Sequence, residues 1–179
     1  MSNTVAAHYL EDAIKVFKAT KKLGDGAFEQ IADADIHWVP EPESNSIAVV
    51  VKHMHGNMLS RWTDFLTSDG EKEWRERDNE FIDDRVTKAD LIARWEEGWK
   101  CVFDAMTSLK PEDVEKIVYI RKESHTVMQA INRQLTHYAY HVGQIVYIAK
   151  AIRSAEWRSL SIPKGKSDEF NREKSGASR

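Results

Sequence analysis

The stretch "VMQAINRQLTHYAYHVGQIVYIAKAI", Val127–Ile152, sets Val127, Ile131, Leu135, Tyr138, Val142, Ile145 and Ala149 at steps of three and four. That spacing predicts one long amphipathic helix. Working outward, three more stretches carry the same period. The first runs from about Thr4 to Leu23, with Val5, Tyr9, Ala13, Ile14 and Phe17. "LGDGAF" is expected to break it, with a short continuation over Ala27 to Ala32. The second runs from about Ile47 to Thr67 on Val51, Met54, Met58, Trp62 and Phe65, after a loop, "DIHWVPEPESNS", that offers Ser44 or Ser46 as N-cap. The third starts at a Thr87/Asp90 capping box, carries Leu91, Trp95, Val102, Phe103, Met106 and Leu109, and ends at Lys110-Pro111.

Between these helices "EKIVYIRKE", Glu115 to Glu123, reads as an accessory strand, and Ser124 as the cap of the last helix. "SDGEKEWRERDNEFIDDRV", Ser68 to Val86, reads as a solvated excursion pinned by Trp74 and Phe81, of a kind that can also rim a site. The abundant tryptophans, Trp62, Trp74, Trp95, Trp99 and Trp157, read as core or dimer interface. The expected fold class is therefore all-α: a four-helix bundle in one domain, residues 1–160, with a polar C-terminal tail, residues 161–179.

Composition narrows function by exclusion. Lys and Arg number 26 against 29 Asp and Glu, a net charge of -3, with both signs interspersed. No basic stripe for a phosphate backbone results, so no nucleic-acid partner is expected. The N-terminal stretch carries Glu11, Asp12, Lys15 and Lys18 where a signal peptide needs apolar residues, and the longest aliphatic run is Ile47 to Val51. No membrane association is expected, and a cytoplasmic location is. The single cysteine, Cys101, lies in an apolar helical pattern and reads as packing, in accord with a reducing compartment.

Chemistry concentrates in the histidines. His137 and His141, four apart on the last helix, lie about 40° apart in rotation and offer two imidazoles to one point. The i, i+4 histidine pair of the HExxH motif is the physical template, here without its glutamate. Gly143 is expected to admit another backbone, and Gln144 to orient a ligand from behind. "VKHMHGNM" on the second helix supplies a third histidine. His55 lies nearer the apolar stripe, while His53 shares a face with Gly56, Asn57 and Ser60 that offers room and polarity, so the residues alone leave His53 and His55 even. His8, His37 and His125 read as surface or capping groups.

"SIAVVVKHMHGNMLSRW" followed much later by "HYAYHVGQI" resembles the DinB-like superfamily of small four-helix proteins, and within it a bacterial subgroup close to bacillithiol transferases and metal-dependent hydrolases. The resemblance covers nearly the whole chain. It implies a divalent metal held by His53, His137 and His141, with His55 the runner-up, and a likeness to damage-inducible, stress-response proteins without DNA contact. A homodimer is implied as well.

Three imidazoles would leave a tetrahedral ion one open position, as catalytic sites do. Zinc or nickel suits the set best, with iron or manganese as further options. A low-molecular-weight thiol such as bacillithiol in that position gives an S-transferase acting on a small electrophile. Metal-bound hydroxide gives a hydrolase instead, and a non-enzymatic metal-binding or stress-response module is the third reading. The absence of a general base in the motifs favours thiol transfer, unless a carboxylate such as Asp64 folds in. Lys164 and Lys166 offer a second, weaker way to draw in an anionic cofactor.

Overall fold

The computed structural model describes residues 4–176. Its helices are α1 (Thr4–Phe28), α2 (Ile47–Trp62), α3 (Lys88–Ser108), α4 (Val127–Arg153) and α5 (Ser167–Gly176). One antiparallel hairpin, β1 (Ile117–Ile120) with β2 (Glu123–Thr126), pairs Ile117 with Thr126 and Ile120 with Glu123. The chain is thus mostly helical with a small two-stranded sheet, which corrects the expected all-α class.

Helix α2 is the centre of the molecule. Ser46 caps it by accepting a hydrogen bond from the Val49 N–H, and Ile47 through Val51 are buried without interruption. It packs against both α3 and α4, while α1 lies along α4. The α2–α3 approach is close because α3 presents Gly98, where an added Cβ would sit 2.8 Å from the Met58 sulfur.

One aromatic ring from each of the first four helices meets in the core. Phe17 lies 5.8 Å from Trp62 and 6.1 Å from Trp99, and Trp99 lies 5.6 Å from Tyr138. Edge contacts of this kind add specificity to the large apolar area they bury. The Tyr138 hydroxyl, fully buried among them, accepts from Trp62 Nε1 at 2.9 Å and donates to Asn57 Oδ1 at 3.1 Å.

Several boundaries differ from the sequence reading, each for a physical reason. Helix α1 does not break at "LGDGAF". Gly24 and Gly26 stay helical because the Trp95 ring and Leu160 fill the space their Cβ atoms would need, at 2.5 Å and 2.7 Å. Burial of Ala27 and Phe28, the latter edge-on to Trp95 at 5.1 Å, outweighs the roughly 1 kcal/mol helix penalty of each glycine. Helix α2 stops at Trp62, short of Thr67, because Asp64 takes a left-handed φ of 50°.

Ser124 caps nothing; it lies in β2, and Thr126 caps α4 in a box with Gln129. The hairpin turn, Arg121-Lys122, has positive φ at both residues, the two-residue loop whose twist suits paired strands. Asp69 stabilises this unusual choice of residues by accepting the backbone N–H groups of Arg121 and Lys122 at 2.9 and 2.8 Å. The polar tail contains α5, whose described side chains are exposed. Trp74 is 58% exposed and pins no loop.

Tyr138→Phe tests the central hydrogen bonds. It strands the Trp62 N–H and the Asn57 carbonyl in the core and is expected to lower unfolding free energy by about 2 kcal/mol in urea melts, with unchanged m. A loss below about 0.5 kcal/mol would show that these groups find other partners.

Candidate metal centre

His53 projects from the middle of α2, and His137 and His141 from successive turns of α4, flanking the buried Tyr138. Because Tyr138 is bonded to Asn57, one turn beyond His53, the same contact that registers α4 on α2 sets the three imidazoles face to face. His53 is buried at 4% exposure, and the other two are half-buried. Their nearest ring nitrogens all fall within 4.8 Å of one another. His137 Nε2 is 3.3 Å from His53 Nε2 and 3.1 Å from His141 Nε2.

Proton counting shows what this arrangement lacks. His53 Nδ1 lies 2.9 Å from Glu80 Oε2, and His141 Nδ1 lies 2.8 Å from Gln144 Oε1. Both partners are acceptors, so both Nδ1 atoms carry the proton, and in neutral rings both Nε2 atoms are bare lone pairs. Each points at His137 Nε2, which can donate one proton to one of them. At least one pair of facing nitrogens therefore has no hydrogen between them. Full protonation is no remedy: burial first, then the charges of His141 and His53, pushes the His137 pKa down to about 3, and burial lowers that of His141.

A divalent cation at the shared point would satisfy all three Nε2 lone pairs. In a tetrahedral zinc site with nitrogens about 2.0–2.1 Å from the ion, neighbouring ligand atoms are about 3.3 Å apart, close to the two distances found here. The residues present fit such an ion, which His53, His137 and His141 would hold.

The other histidines lie elsewhere. His55, the runner-up, turns to α3 and bonds Glu97 at 2.8 Å. Periodicity misplaced it because α2 is buried on nearly every face, so its polar side, with Asn57 and Ser60, is also inside. His37 bonds Asp83 and the Val86 carbonyl, both at 2.9 Å, and His8 is exposed. His125 lies on β2. Asp64 lines a separate cavity of about 540 Å³ with Cys101 and Lys100, where none of the three histidines takes part. Cys101 is half-buried there, and burial raises its pKa. Lys166 pairs with Glu169 at 2.7 Å.

Gln144 orients His141 as expected, and its amide also donates to Tyr140 at 3.3 Å. Gly143 does not admit another backbone: a Cβ there would meet nothing within 4 Å. Phe81 stacks on His53 at 4.8 Å, and the exposed Tyr140 lies 5.0 Å from His141.

The charged loop contributes what the sequence reading missed. Glu80 is buried at 6% exposure, and both its oxygens are engaged: Arg75 Nε donates to Oε1 at 2.7 Å and Arg75 Nη2 to Oε2 at 2.8 Å. Arg75 also meets Glu71 at 3.3 Å, and Glu71 accepts from Arg61 at 2.9 Å and Arg121 at 3.3 Å. Burial works against ionised Glu80, yet the bonds from Arg75 and His53 win and hold its pKa below the usual range. The one sequence signal for this was Gly56, a glycine inside a helical pattern.

A family model described as a protein of unknown function, DUF1572, matches residues 4–166. The chain belongs to the DUF1572 family. That match takes in all four long helices and every residue of the histidine cluster. No curated protein matches this DUF1572 chain. No described helix is long and apolar enough to cross a membrane.

The depressed pKa of His137 gives a pH test. The folded value of about 3 lies below the ordinary 6.5, so as pH falls the unfolded chain takes up the proton first. Stability from the neutral ring is complete above about pH 6.5 and is lost progressively toward pH 3. Metal-free protein is expected to lose on the order of 2 kcal/mol through this group between pH 7 and pH 5. His137→Leu, which cannot titrate there, is expected to show a correspondingly shallower pH dependence in urea unfolding; equal slopes would contradict the assignment.

Proposed function

We propose that this DUF1572 chain is a divalent-metal enzyme that transfers a low-molecular-weight thiol to a small electrophile, with His53, His137 and His141 holding the ion. The observation that carries the metal reading is the convergence of three imidazole nitrogens with too few protons to bond one another. Zinc or nickel suits the donor set. When bound, such an ion lowers the pKa of a thiol or water at its open position and so supplies an anionic nucleophile near neutral pH.

The chain's own residues favour the thiol. Hydrolysis of an unactivated bond generally uses a protein base to take the proton of water. The carboxylate nearest the histidines, Glu80, has both oxygens committed to Arg75 and His53. It is poorly placed to accept a proton from water. A thiol that arrives as its anion needs no such base. His53 and His141 are held by Glu80 and Gln144, so their lone pairs stay aimed at one point while substrate exchanges. Phe81 and Tyr140 stand beside these two rings and offer apolar surface to an electrophile. The DinB-like kinship belongs to this proposal, supported by the paired histidine motifs and the packing of four long helices, and the homodimeric state and stress-response role enter it only as what that kinship implies.

The first test is elemental analysis of protein purified without chelator. Near one equivalent of divalent metal is expected in the wild type and in His55→Ala, and almost none in His53→Ala or His137→Ala. Metal retained by His53→Ala but lost from His55→Ala would overturn the ligand assignment. The second incubates zinc-loaded and metal-free protein with bacillithiol, glutathione or cysteine and a chlorinated dinitroaromatic. Conjugation at least tenfold faster with metal is expected. Equal rates would remove the transferase reading, and metal-dependent ester cleavage without thiol would install the hydrolase in its place.

A further inference from the structure

We infer that Glu80 is a positioning residue for the metal centre, locking His53 as an Nε2 ligand and tying that ligand to the charged loop and the hairpin. This inference rests on the metal reading above and assigns a role to a residue outside the ligand set.

Three observations carry it. The first is direction: a carboxylate is acceptor-only, so the 2.9 Å contact fixes the proton on His53 Nδ1 and frees Nε2 to face His137. The second is how firmly Glu80 itself is held. Arg75 grips both oxygens in a two-pronged pair, its side chain 1% exposed, and Glu71 links Arg75 to Arg61 on α2 and Arg121 in the hairpin turn. Such a fork restrains carboxylate rotation as well as position. The third is space. A Cβ at residue 56 would lie 2.2 Å from Glu80 Oε1, so α2 leaves its glycine one turn after His53 where the carboxylate must enter. A loop that served only to cover the helix would need neither a buried charge nor a gap cut to admit it.

A ligand imidazole oriented this way loses less freedom on binding the ion and is a better donor, because the acceptor behind it withdraws the Nδ1 proton. Loss of such a partner generally weakens metal binding 10- to 100-fold. The other ligand on the same plan is His141, held by neutral Gln144.

The test is zinc affinity by chelator competition on the whole chain for wild type, Glu80→Gln, Gly56→Ala and His53→Ala. In Glu80→Gln the amide cannot accept from Arg75 and His53 on both of its ends, so a loss of about tenfold or more is expected. Gly56→Ala keeps every ligand and the carboxylate, raises helix propensity, and displaces Glu80 by its methyl group; the same loss is expected without loss of helicity by circular dichroism. In zinc-loaded wild type the His53 Nδ1–H is expected as a slowly exchanging proton by NMR, and as a fast one in both variants. Affinities within twofold of wild type in both Glu80→Gln and Gly56→Ala, with binding lost in His53→Ala, would overturn the role of Glu80 and leave the centre standing. A wild type that binds no zinc would remove the centre itself, and this inference with it.

Discussion

The buried hydroxyl of Tyr138 is the constraint on which the rest depends. A phenol enclosed on all sides must find its partners inside the protein, because leaving it unbonded costs roughly 1–3 kcal/mol. Its partners are Trp62 and Asn57, both on α2, so the cost of misregister falls on sliding α4 along α2. A slip of one residue would break both bonds and separate four packed rings. His137 adjoins Tyr138 in sequence, His141 follows a turn later, and His53 precedes Asn57 by a turn. The packing of the core therefore sets the geometry of the centre.

Charge is arranged around that centre with equal care. Arg61 and Arg75 are matched by Glu71 and Glu80, two cations and two anions within one buried network. Such pairs gain from their mutual field what desolvation takes away, and they tolerate no missing member. Arg121, half-exposed, adds a third cation to Glu71 at the edge of that network. Imidazole ligands bring no negative charge, so the double positive charge of an ion held there would go uncancelled by its holders and would favour an anion such as a thiolate. A carboxylate ligand in place of one histidine would weaken that pull.

The long helices were legible because each keeps one apolar stripe over several turns, and α4 was read nearly to its last residue. The capping box at Thr87 and the histidine pair of α4 were local patterns and could be read directly. What escaped had its cause elsewhere in the chain. Gly24 and Gly26 look like a break until Trp95 and Leu160 are seen to occupy their missing side chains. The choice between His53 and His55 could not be made from periodicity, since α2 is buried on both its apolar and its polar face; the family resemblance pointed to His53, and it is His53 that lies beside His137 and His141 while His55 turns to Glu97. Glu80 and Arg75 were hidden in a run of charges that reads as solvated, because nothing in that run marks which two of its many ionic groups turn inward. Gly56 was the only trace they left on the helix.

X-ray absorption at the metal edge of the zinc-loaded protein tests the central claim most directly, because it reports the donor atoms themselves. Three imidazoles at about 2.0–2.1 Å with one further light-atom donor are predicted, becoming two imidazoles in His53→Ala and unchanged in His55→Ala. A shell built of oxygen donors without imidazole scattering, or one that ignores the loss of His53, would contradict the account.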